Sequence, residues 1–219
     1  MNKIFEQINH LGIIAVVVID EPENAVPMAK ALFDNGIKAI ENTLRTPAAL
    51  ETIKIIKKSI PEMLVGAGTV LTVEQVADVY QAGGDFAVSP GFNAKVVKKA
   101  NETGLPFAPG IVTPSDIEAA IEMDCRILKF FPAEASGGLD YLNSMAAPYQ
   151  HLGLKYIPLG GLDFGNMKKY LESPLVSALG GSWLAPRKAI QAKNWSLIAE
   201  NAKKAAEIVR EVRSKCKQS

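Results

Sequence analysis

Residues 12–19 read GIIAVVVI, an uninterrupted apolar run that ends directly before Asp20 and Glu21. A strand with one solvated face would alternate apolar and polar residues, whereas consecutive apolar residues indicate a strand covered on both faces, as in parallel sheets. The run is only about half of the roughly 18–20 residues needed to cross a bilayer. Glu6 interrupts the segment before it and no small-residue cleavage site follows it, which argues against a secretory signal. The run therefore predicts a buried strand.

Similar apolar runs recur along the chain, separated by amphipathic stretches, at intervals of roughly 20–30 residues. The predicted strands are residues 12–19, 37–42, 63–67, 86–89, 106–109, 126–131, 155–159 and 175–179. The predicted helices include residues 22–35, 72–82 and 193–217, and one that starts at Thr113.

This alternation predicts one α/β domain over residues 1–219, a (β/α)8 TIM barrel with a helix at its N-terminus. A doubly wound open sheet is the alternative. Its dinucleotide-binding form needs glycines directly after the first strand, and residues 18–21 contain none. The barrel is therefore favoured.

Composition excludes several classes of protein. The 24 Lys and Arg residues nearly balance the 23 Asp and Glu residues, which disfavours a nucleic-acid-binding or membrane-surface protein. The 48% hydrophobic content excludes intrinsic disorder. The basic residues of the C-terminal helix, Arg210 and Arg213 among them, are interpreted as a solvated face. Cys125 and Cys216 form no metal-spaced pair, which argues against a thiolate metal site and fits a reducing cytoplasm.

Lys129 is the most unusual residue of the predicted strands, because it lies within the apolar run 126–131. A strand-end lysine that extends to solvent is one interpretation. The run does not alternate, however, so either face would surround the amine with apolar groups, and desolvation favours the neutral, nucleophilic form. Such an amine can form a Schiff base with a ketone. His10 and His151 lie outside the strand ends, so Ser–His or His-ligated metal chemistry is not expected.

Glu41 and Arg45 form a second candidate pair at the end of the second predicted strand. With a period of two, Glu41 shares a face with Ile37 and Ala39, which places a carboxylate among small and apolar neighbours. A surface ion pair in a loop is one interpretation. The other assigns Glu41 as a general acid and base and Arg45 as a guanidinium that binds a carboxylate.

Glycines follow the last two predicted strands, in Leu159-Gly160-Gly161 and in Gly180-Gly181-Ser182. Gly-Gly often marks an ordinary turn, but loops after strands seven and eight are the recurrent phosphate site of these barrels. Small residues also end the third and fourth strands, in the segments 66–69 and 89–91. We expect them to leave room for a ligand and Thr69 to donate or accept a hydrogen bond with it.

The chain resembles the 2-keto-3-deoxy-6-phosphogluconate (KDPG) and 2-keto-4-hydroxyglutarate (KHG) aldolases nearly from end to end. The segments that carry the resemblance are ENTLRT at 41–46, GAGTVL at 66–71, SPG at 89–91, KFFPAE at 129–134 and GGSWL at 180–184. The resemblance implies a homotrimeric (β/α)8 barrel that cleaves its substrate through a lysine Schiff base, without a metal or other cofactor.

Carried over to this chain, the resemblance implies roles for individual residues. Lys129 would form the Schiff base and Glu41 would transfer protons. The substrate-binding residues would be Arg45 and Thr69 for the pyruvyl carboxylate, Gly160, Gly161, Gly181 and Ser182 for a phosphate, and Pro90 and Phe131 for the pocket wall.

Two positions depart from the pattern of many relatives. Leu159 stands where they have a threonine that is associated with the choice between C4 epimers, and Val18 stands where some have arginine. The expected reaction is reversible cleavage of KDPG to pyruvate and glyceraldehyde 3-phosphate. The alternatives are cleavage of 4-hydroxy-2-oxoglutarate to pyruvate and glyoxylate, cleavage of the phosphogalactonate epimer, and a non-catalytic barrel that binds phosphorylated metabolites.

Overall fold

The computed structural model describes residues 2–216 as parallel strands alternating with helices. The strands are β1 (Ile13–Val17), β2 (Ala39–Thr43), β3 (Leu64–Gly68), β4 (Phe86–Val88), β5 (Phe107–Ala108), β6 (Gly110–Ile111), β7 (Ile127–Phe130), β8 (Lys155–Pro158) and β9 (Leu179–Gly181). The helices are α1 (Lys3–Leu11), α2 (Ala25–Phe33), α3 (Ala49–Ser59), α4 (Val73–Gln81), α5 (Ala94–Thr103), α6 (Pro114–Glu122), α7 (Gly138–Ala146), α8 (Met167–Leu171), α9 (Arg187–Gln191) and α10 (Trp195–Cys216). Short 3-10 helices occupy Pro22–Asn24, Glu134–Ser136 and Ala147–Leu152.

The strands form two sheets in which the pairings between named strands are all parallel. The larger sheet has the order β5-β4-β3-β2-β1-β9, and the smaller has the order β6-β7-β8. From β1 to β5 each strand is added beside the one before it, without the reversal of direction that marks a doubly wound sheet. The predicted parallel α/β class and the N-terminal helix are confirmed.

Two strand boundaries were predicted wrongly. The eighth strand was expected at residues 175–179, but it spans Leu179–Gly181 and pairs with Ile13–Ala15 of β1. Its glycines are poor strand formers, and the backbone of β1 supplies the ladder partner that the local sequence does not reveal. The fifth predicted strand continues past Pro109 as β6, which pairs with β7.

The starts of α4 and α6 lie where the local sequence predicts them. Thr72 caps α4 and Thr113 caps α6, each through a capping box. In each box the Thr side chain accepts a hydrogen bond from the backbone N–H three residues later, and the side chain of that later residue accepts one from the Thr backbone N–H. The predicted helix at 22–35 is a 3-10 turn followed by α2. The last predicted helix corresponds to α10, and Lys217 at its predicted end lies outside the described residues.

The core has two layers. Most buried side chains lie between the sheets and the surrounding helices. A second group, here called the interior cluster, includes Ile14, Phe86, Ile157 and Leu159, together with Phe5 and Ile8 of α1. Helix α1 therefore buries its apolar face in the same cluster as side chains from both sheets.

Arg213 of α10 corrects the expectation that the basic residues of this helix form a solvated face. Its Nη2 donates hydrogen bonds to the backbone oxygens of Asn9 and Ser177, at 3.1 and 2.8 Å. The guanidinium therefore joins α10 to α1 and to the segment before β9. None of the helices in the described part of the chain is both long enough and apolar enough to cross a membrane.

Candidate active site

Lys129 and Glu41 form a buried ion pair between the two sheets. Lys129 lies in β7 of the smaller sheet and Glu41 in β2 of the larger one, and Lys129 Nζ is 3.0 Å from Glu41 Oε1. Only 5% of Lys129 and 2% of Glu41 are exposed. The ring centroid of Phe131 lies 5.4 Å from Nζ. The solvent-facing interpretations of both residues were therefore wrong, since each is almost completely removed from water.

The carboxylate of Glu41 occupies space that exists because β3 has glycines. Gly66 is the register partner of Glu41, and a Cβ added at Gly68 would collide with Glu41 Oε1. A Cβ at Gly66 would collide with the ring of Phe86. These small residues were expected to leave room for a ligand. At Gly66 and Gly68 that room holds protein side chains, and Gly68 is what allows Glu41 to reach Lys129, whereas a Cβ at Gly91 would meet no atom within 4 Å.

Arg45 and Ser182 line one cavity together, and neither Lys129 nor Glu41 is among its lining residues. This cavity, about 370 Å³, is also lined by Val16, Val18 and Trp183. Arg45 donates a 3.3 Å hydrogen bond from Nε to Thr43 Oγ1 and takes part in none of the ion pairs found among residues 2–216. Its guanidinium is exposed, so it is available to an anionic ligand.

Larger cavities lie at the opposite, amino-terminal ends of the strands. One of about 520 Å³ is lined by residues that include His10 and Arg210, and one of about 440 Å³ by residues that include Phe107 and Cys125. Neither is lined by any of the predicted site residues. Size alone is therefore a poor guide to the site in this fold, where working side chains are expected at the carboxyl ends of the strands.

Thr69 and Pro90 lie at the ends of β3 and β4. Thr69 has a φ of 60°, a left-handed conformation that is rare for a β-branched residue, and such strain is found at functional sites. Its hydroxyl makes no hydrogen bond within the described part of the chain. The Pro90 backbone packs so closely on Gly110 that a Cβ there would collide with it. Gly110 is the register partner of Lys129, so Pro90 lies beside the lysine strand.

The Leu159–Gly161 segment turns sharply after β8. Gly160 and Gly161 have φ values of 95° and 79°, a left-handed conformation that glycine adopts without strain. Leu159 is 5% exposed, and its side chain fills the space over Gly180, where a Cβ would collide with it. The Phe131 ring lies 3.3 Å from the position of a Cβ on Gly160. The glycine segment is therefore packed against the residue that neighbours the Lys129 amine.

Gly181 is the last residue of β9, and Ser182 follows it. A Cβ at Gly181 would collide with the Trp183 ring, so glycine lets the indole fold back over the strand end. Ser182 is exposed at the mouth of the cavity. Across residues 2–216, no cluster of three His, Cys, Asp or Glu side chains could hold a metal ion.

Comparison with known proteins identifies the family of this chain. The family model described as KDPG and KHG aldolase matches residues 4–201. The chain belongs to this aldolase family. A 2-dehydro-3-deoxy-phosphogluconate aldolase of Treponema pallidum is 40% identical over 209 residues, covering 95% of this chain and 99% of the relative. A KHG/KDPG aldolase of Escherichia coli K12 is 41% identical over 195 residues, covering 89% and 91%.

A solved structure of the family adds chemical detail about a relative. The KDPG aldolase from Legionella pneumophila, with pyruvate captured at low pH as a covalent carbinolamine intermediate, matches this chain with a TM-score of 0.85 and 38% identity. The match covers 90% of this chain and 97% of that one. Recognition of the KDPG/KHG aldolase family from the motifs is therefore confirmed.

The residues that line the cavity of Arg45 and Ser182 without a role assigned from the sequence include Trp183 and Arg187. Arg187 Nε donates a 3.0 Å hydrogen bond to Asp20 Oδ2, and Gln191 Nε2 donates another at 2.9 Å. The guanidinium holds the pKa of Asp20 below its ordinary value. This network joins the end of β1 to α9, and only the position of Trp183 next to Ser182 hinted at either residue.

Proposed function

We propose that this chain is a class I aldolase, a lyase that reversibly cleaves KDPG to pyruvate and glyceraldehyde 3-phosphate. The observation that carries the proposal is the buried pair of Lys129 and Glu41, with an amine and a carboxylate 3.0 Å apart. An amine nucleophile needs a neighbouring base to remove its proton, and Glu41 is within direct proton-transfer distance. Family membership supports the same chemistry.

The first half of the reaction forms the Schiff base. Glu41 accepts a proton from the Lys129 ammonium, and the neutral amine attacks the C2 ketone to give a carbinolamine. Protonated Glu41 returns its proton to the carbinolamine hydroxyl, which leaves as water. The product is a protonated iminium on Lys129 and an ionised Glu41.

The second half breaks the carbon–carbon bond. Glu41 removes the proton of the C4 hydroxyl as C3–C4 breaks, and the bond electrons flow into the iminium to form an enamine. Glyceraldehyde 3-phosphate leaves. Glu41 then protonates the enamine at C3, and hydrolysis of the resulting iminium releases pyruvate and restores the lysine.

The remaining predicted site residues bind and orient the substrate in this proposal. Arg45 and Thr69 bind the carboxylate of the pyruvyl portion. The phosphate is held by Gly160, Gly161, Gly181 and Ser182. Pro90 and Phe131 form the wall beside the lysine, and Leu159 influences which C4 epimer is accepted. No cofactor is required, because Lys129 itself supplies the electron sink.

Borohydride trapping tests the Schiff base directly. Incubation with pyruvate and sodium borohydride should add the reduced pyruvyl group to Lys129, as located by peptide mass spectrometry. Lys155, which lies on the neighbouring strand and donates to the Pro174 oxygen, serves as an internal control. An adduct on another lysine, or none at all with folded protein, would refute the assignment.

4-Hydroxy-2-oxoglutarate is a second candidate substrate, because the same lysine and carboxylate would cleave it to pyruvate and glyoxylate. The two reactions differ in whether a phosphate must be bound. The glycines after β8 and at the end of β9 favour the phosphorylated substrate. Comparison of kcat/KM for the two compounds decides between them. A strong preference for 4-hydroxy-2-oxoglutarate would make it, and not KDPG, the main substrate.

We also propose that the chain forms a single domain with a closed (β/α)8 barrel. Isolated bridges join Tyr156 to Val176 and Leu159 to Gly180, between the ends of the two sheets. At the other seam, only Pro109 separates β5 from β6. Both features support strands that continue around a closed ring.

We further propose that the protein is a homotrimer and that it is cytoplasmic. The exposed apolar side chains Leu71 and Tyr80, with 50% and 55% of their surfaces accessible, offer area that a neighbouring subunit could cover. Cys125 is a free thiol, which fits a reducing compartment. Light scattering coupled to size-exclusion chromatography measures the subunit number, and a monomeric mass would contradict the trimer.

A further inference from the structure

The three carbonyl groups of the Leu159–Gly161 segment are all held by hydrogen bonds from other parts of the chain. The backbone N–H of Ala133 donates to the Leu159 oxygen at 2.7 Å, and that of Glu134 donates to the Gly160 oxygen at 3.0 Å. The third bond comes from a side chain, because Asn166 Nδ2 donates to the Gly161 oxygen at 3.0 Å. Asn166 therefore completes a set of tethers that the backbone alone leaves unfinished.

These tethers determine where the neighbouring amides point. In a trans peptide the C=O of one residue and the N–H of the next point in opposite directions. Holding the Leu159 and Gly160 oxygens therefore orients the N–H groups of Gly160 and Gly161, and holding the Gly161 oxygen orients the N–H of Leu162. Within residues 2–216, the Gly161 and Leu162 amides donate to no protein acceptor, whereas the Gly160 amide faces Gly180 across the parallel bridge between Leu159 and Gly180. Successive free amides of this kind form a concave site for an anion.

The Asn166 side chain is itself fixed. Its Oδ1 accepts a 2.9 Å hydrogen bond from the Asp163 backbone N–H, while Asp163 Oδ1 accepts from the N–H groups of Gly165 and Asn166 at 2.7 and 3.3 Å. Only one orientation of the amide satisfies both the Asp163 donor and the Gly161 acceptor. The tether is therefore held in place before any ligand arrives.

We propose that Asn166 is a positioning residue for phosphate recognition, which acts by fixing the Gly161–Leu162 peptide so that Leu162 N–H joins the Gly161 amide as a second donor. This inference rests on the proposed function, since it assumes that the glycine segment receives a phosphate. Asn166 lies on the loop before α8, and it acts through the backbone and not on the reacting carbons. It should therefore influence substrate binding and leave the chemical step unchanged.

Two variants separate positioning from general loss of structure. Asn166→Asp keeps the oxygen that accepts from Asp163 but loses the donor to the Gly161 oxygen and adds a negative charge beside the phosphate site. Asn166→Ala removes both bonds without adding charge. As a matched control, Asn101→Asp makes the same change at an amide that donates to the Met123 backbone oxygen at 3.3 Å, near the end of α5.

Steady-state kinetics with KDPG and with 4-hydroxy-2-oxoglutarate provide the readout. We expect Asn166→Asp to raise KM for KDPG by about tenfold or more, which corresponds to the loss of roughly 1.4 kcal/mol of binding. Asn166→Ala should have a smaller effect in the same direction. For both variants kcat for KDPG and kcat/KM for the phosphate-free substrate should stay within about twofold of the parent. Asn101→Asp should match the parent with both substrates.

Inhibition by inorganic phosphate keeps this inference separate from the choice of substrate. Weaker competitive inhibition of Asn166→Asp would support the positioning role even if the parent protein cleaved only 4-hydroxy-2-oxoglutarate and the KDPG assignment failed. Equal losses for both substrates, unchanged KM and phosphate inhibition in a folded Asn166→Asp, or a parent protein that phosphate does not inhibit would overturn it. If Asn166→Ala fails to fold, Asn166→Asp still decides, because it retains the bond from Asp163.

Discussion

Lys129 and Glu41 are 88 residues apart in the chain, yet their charged atoms are 3.0 Å apart between two different sheets. A buried charge is costly unless a partner and hydrogen bonds compensate for it. Here each group is the other's partner, and the contact gives the proton on the lysine a direct acceptor. The apolar surroundings recognised in the sequence therefore explain only part of the reactivity of the Lys129 amine. The Glu41 carboxylate also contributes, because it can accept the proton.

Replacing Glu41 with glutamine should remove proton transfer while it preserves the shape of the side chain. Glu41→Gln keeps the size of the side chain and an oxygen that can accept a hydrogen bond from Lys129, but an amide cannot accept and return a proton. We expect kcat to fall by about 10²- to 10⁴-fold, with a much smaller change in KM. Steady-state kinetics with KDPG measures both. A kcat within a few-fold of the parent value would show that another group carries the protons.

Gly68→Ala should disable the enzyme without touching either charged residue. The new Cβ would collide with Glu41 Oε1 and force the carboxylate away from Lys129. A displacement of about 1 Å can cost roughly 10²-fold in rate, and we expect a loss of kcat of that order. Gly91→Ala is the control, because an added Cβ there meets no atom within 4 Å. Full activity in a folded Gly68→Ala protein would contradict the role assigned to this glycine.

Leu159→Thr should increase discrimination between the C4 epimers of the substrate. A hydroxyl at this position can bond to one epimer better than to the other, and a neutral hydrogen bond contributes about 0.5–1.5 kcal/mol, or roughly 2- to 10-fold in selectivity. Leu159→Val is the matched control, since valine has the shape of threonine without the hydroxyl. Ratios of kcat/KM for the gluconate and galactonate epimers measure the effect. The idea fails if both variants discriminate equally.

Arg213→Ala should destabilise the fold. The substitution leaves the Asn9 and Ser177 oxygens without their donor, and an unsatisfied buried polar group costs about 1–3 kcal/mol. Arg210→Ala on the same helix should change the free energy of unfolding by no more than about 0.5 kcal/mol, because its side chain is exposed. Urea unfolding followed by circular dichroism compares the two. Equal stability of the two variants would contradict a stabilising role for the two Arg213 hydrogen bonds.

Cys125 should react slowly with alkylating reagents in the folded protein. Burial raises the pKa of its thiol to about 11. Since only the thiolate reacts, labelling at pH 8 should be roughly 10²-fold slower than in denaturant, where the thiol regains its ordinary pKa. The native rate should increase as the pH approaches 11. Mass spectrometry of the Cys125 peptide follows the reaction, and equally fast labelling of native and denatured protein would refute the prediction.

Local sequence predicted those features that depend on neighbouring residues. Consecutive apolar residues identified most strands, and the capping boxes at Thr72 and Thr113 located the starts of α4 and α6. The unusual position of Lys129 was also visible, because its neighbours in the chain are apolar. Each of these signals is local, since periodicity and capping act over a few residues.

Features that depend on distant segments were missed. The pairing of β9 with β1 extends a strand through Gly180 and Gly181, which sequence preferences disfavour. Asn166 was not recognised because its importance comes from one hydrogen bond to the Gly161 oxygen across a turn. Nothing in a stretch of residues reports which backbone group its side chains will meet.

The sequence by itself determined the parallel α/β pattern, the aldolase family and the identity of the candidate nucleophile, because apolar runs and motif residues are written in the order of the chain. The tertiary structure alone decided that Glu41 reaches Lys129, that Gly68 makes space for it and that Arg213 joins α10 to α1. Such contacts arise only when the sheets and helices pack together and bring distant residues within bonding distance.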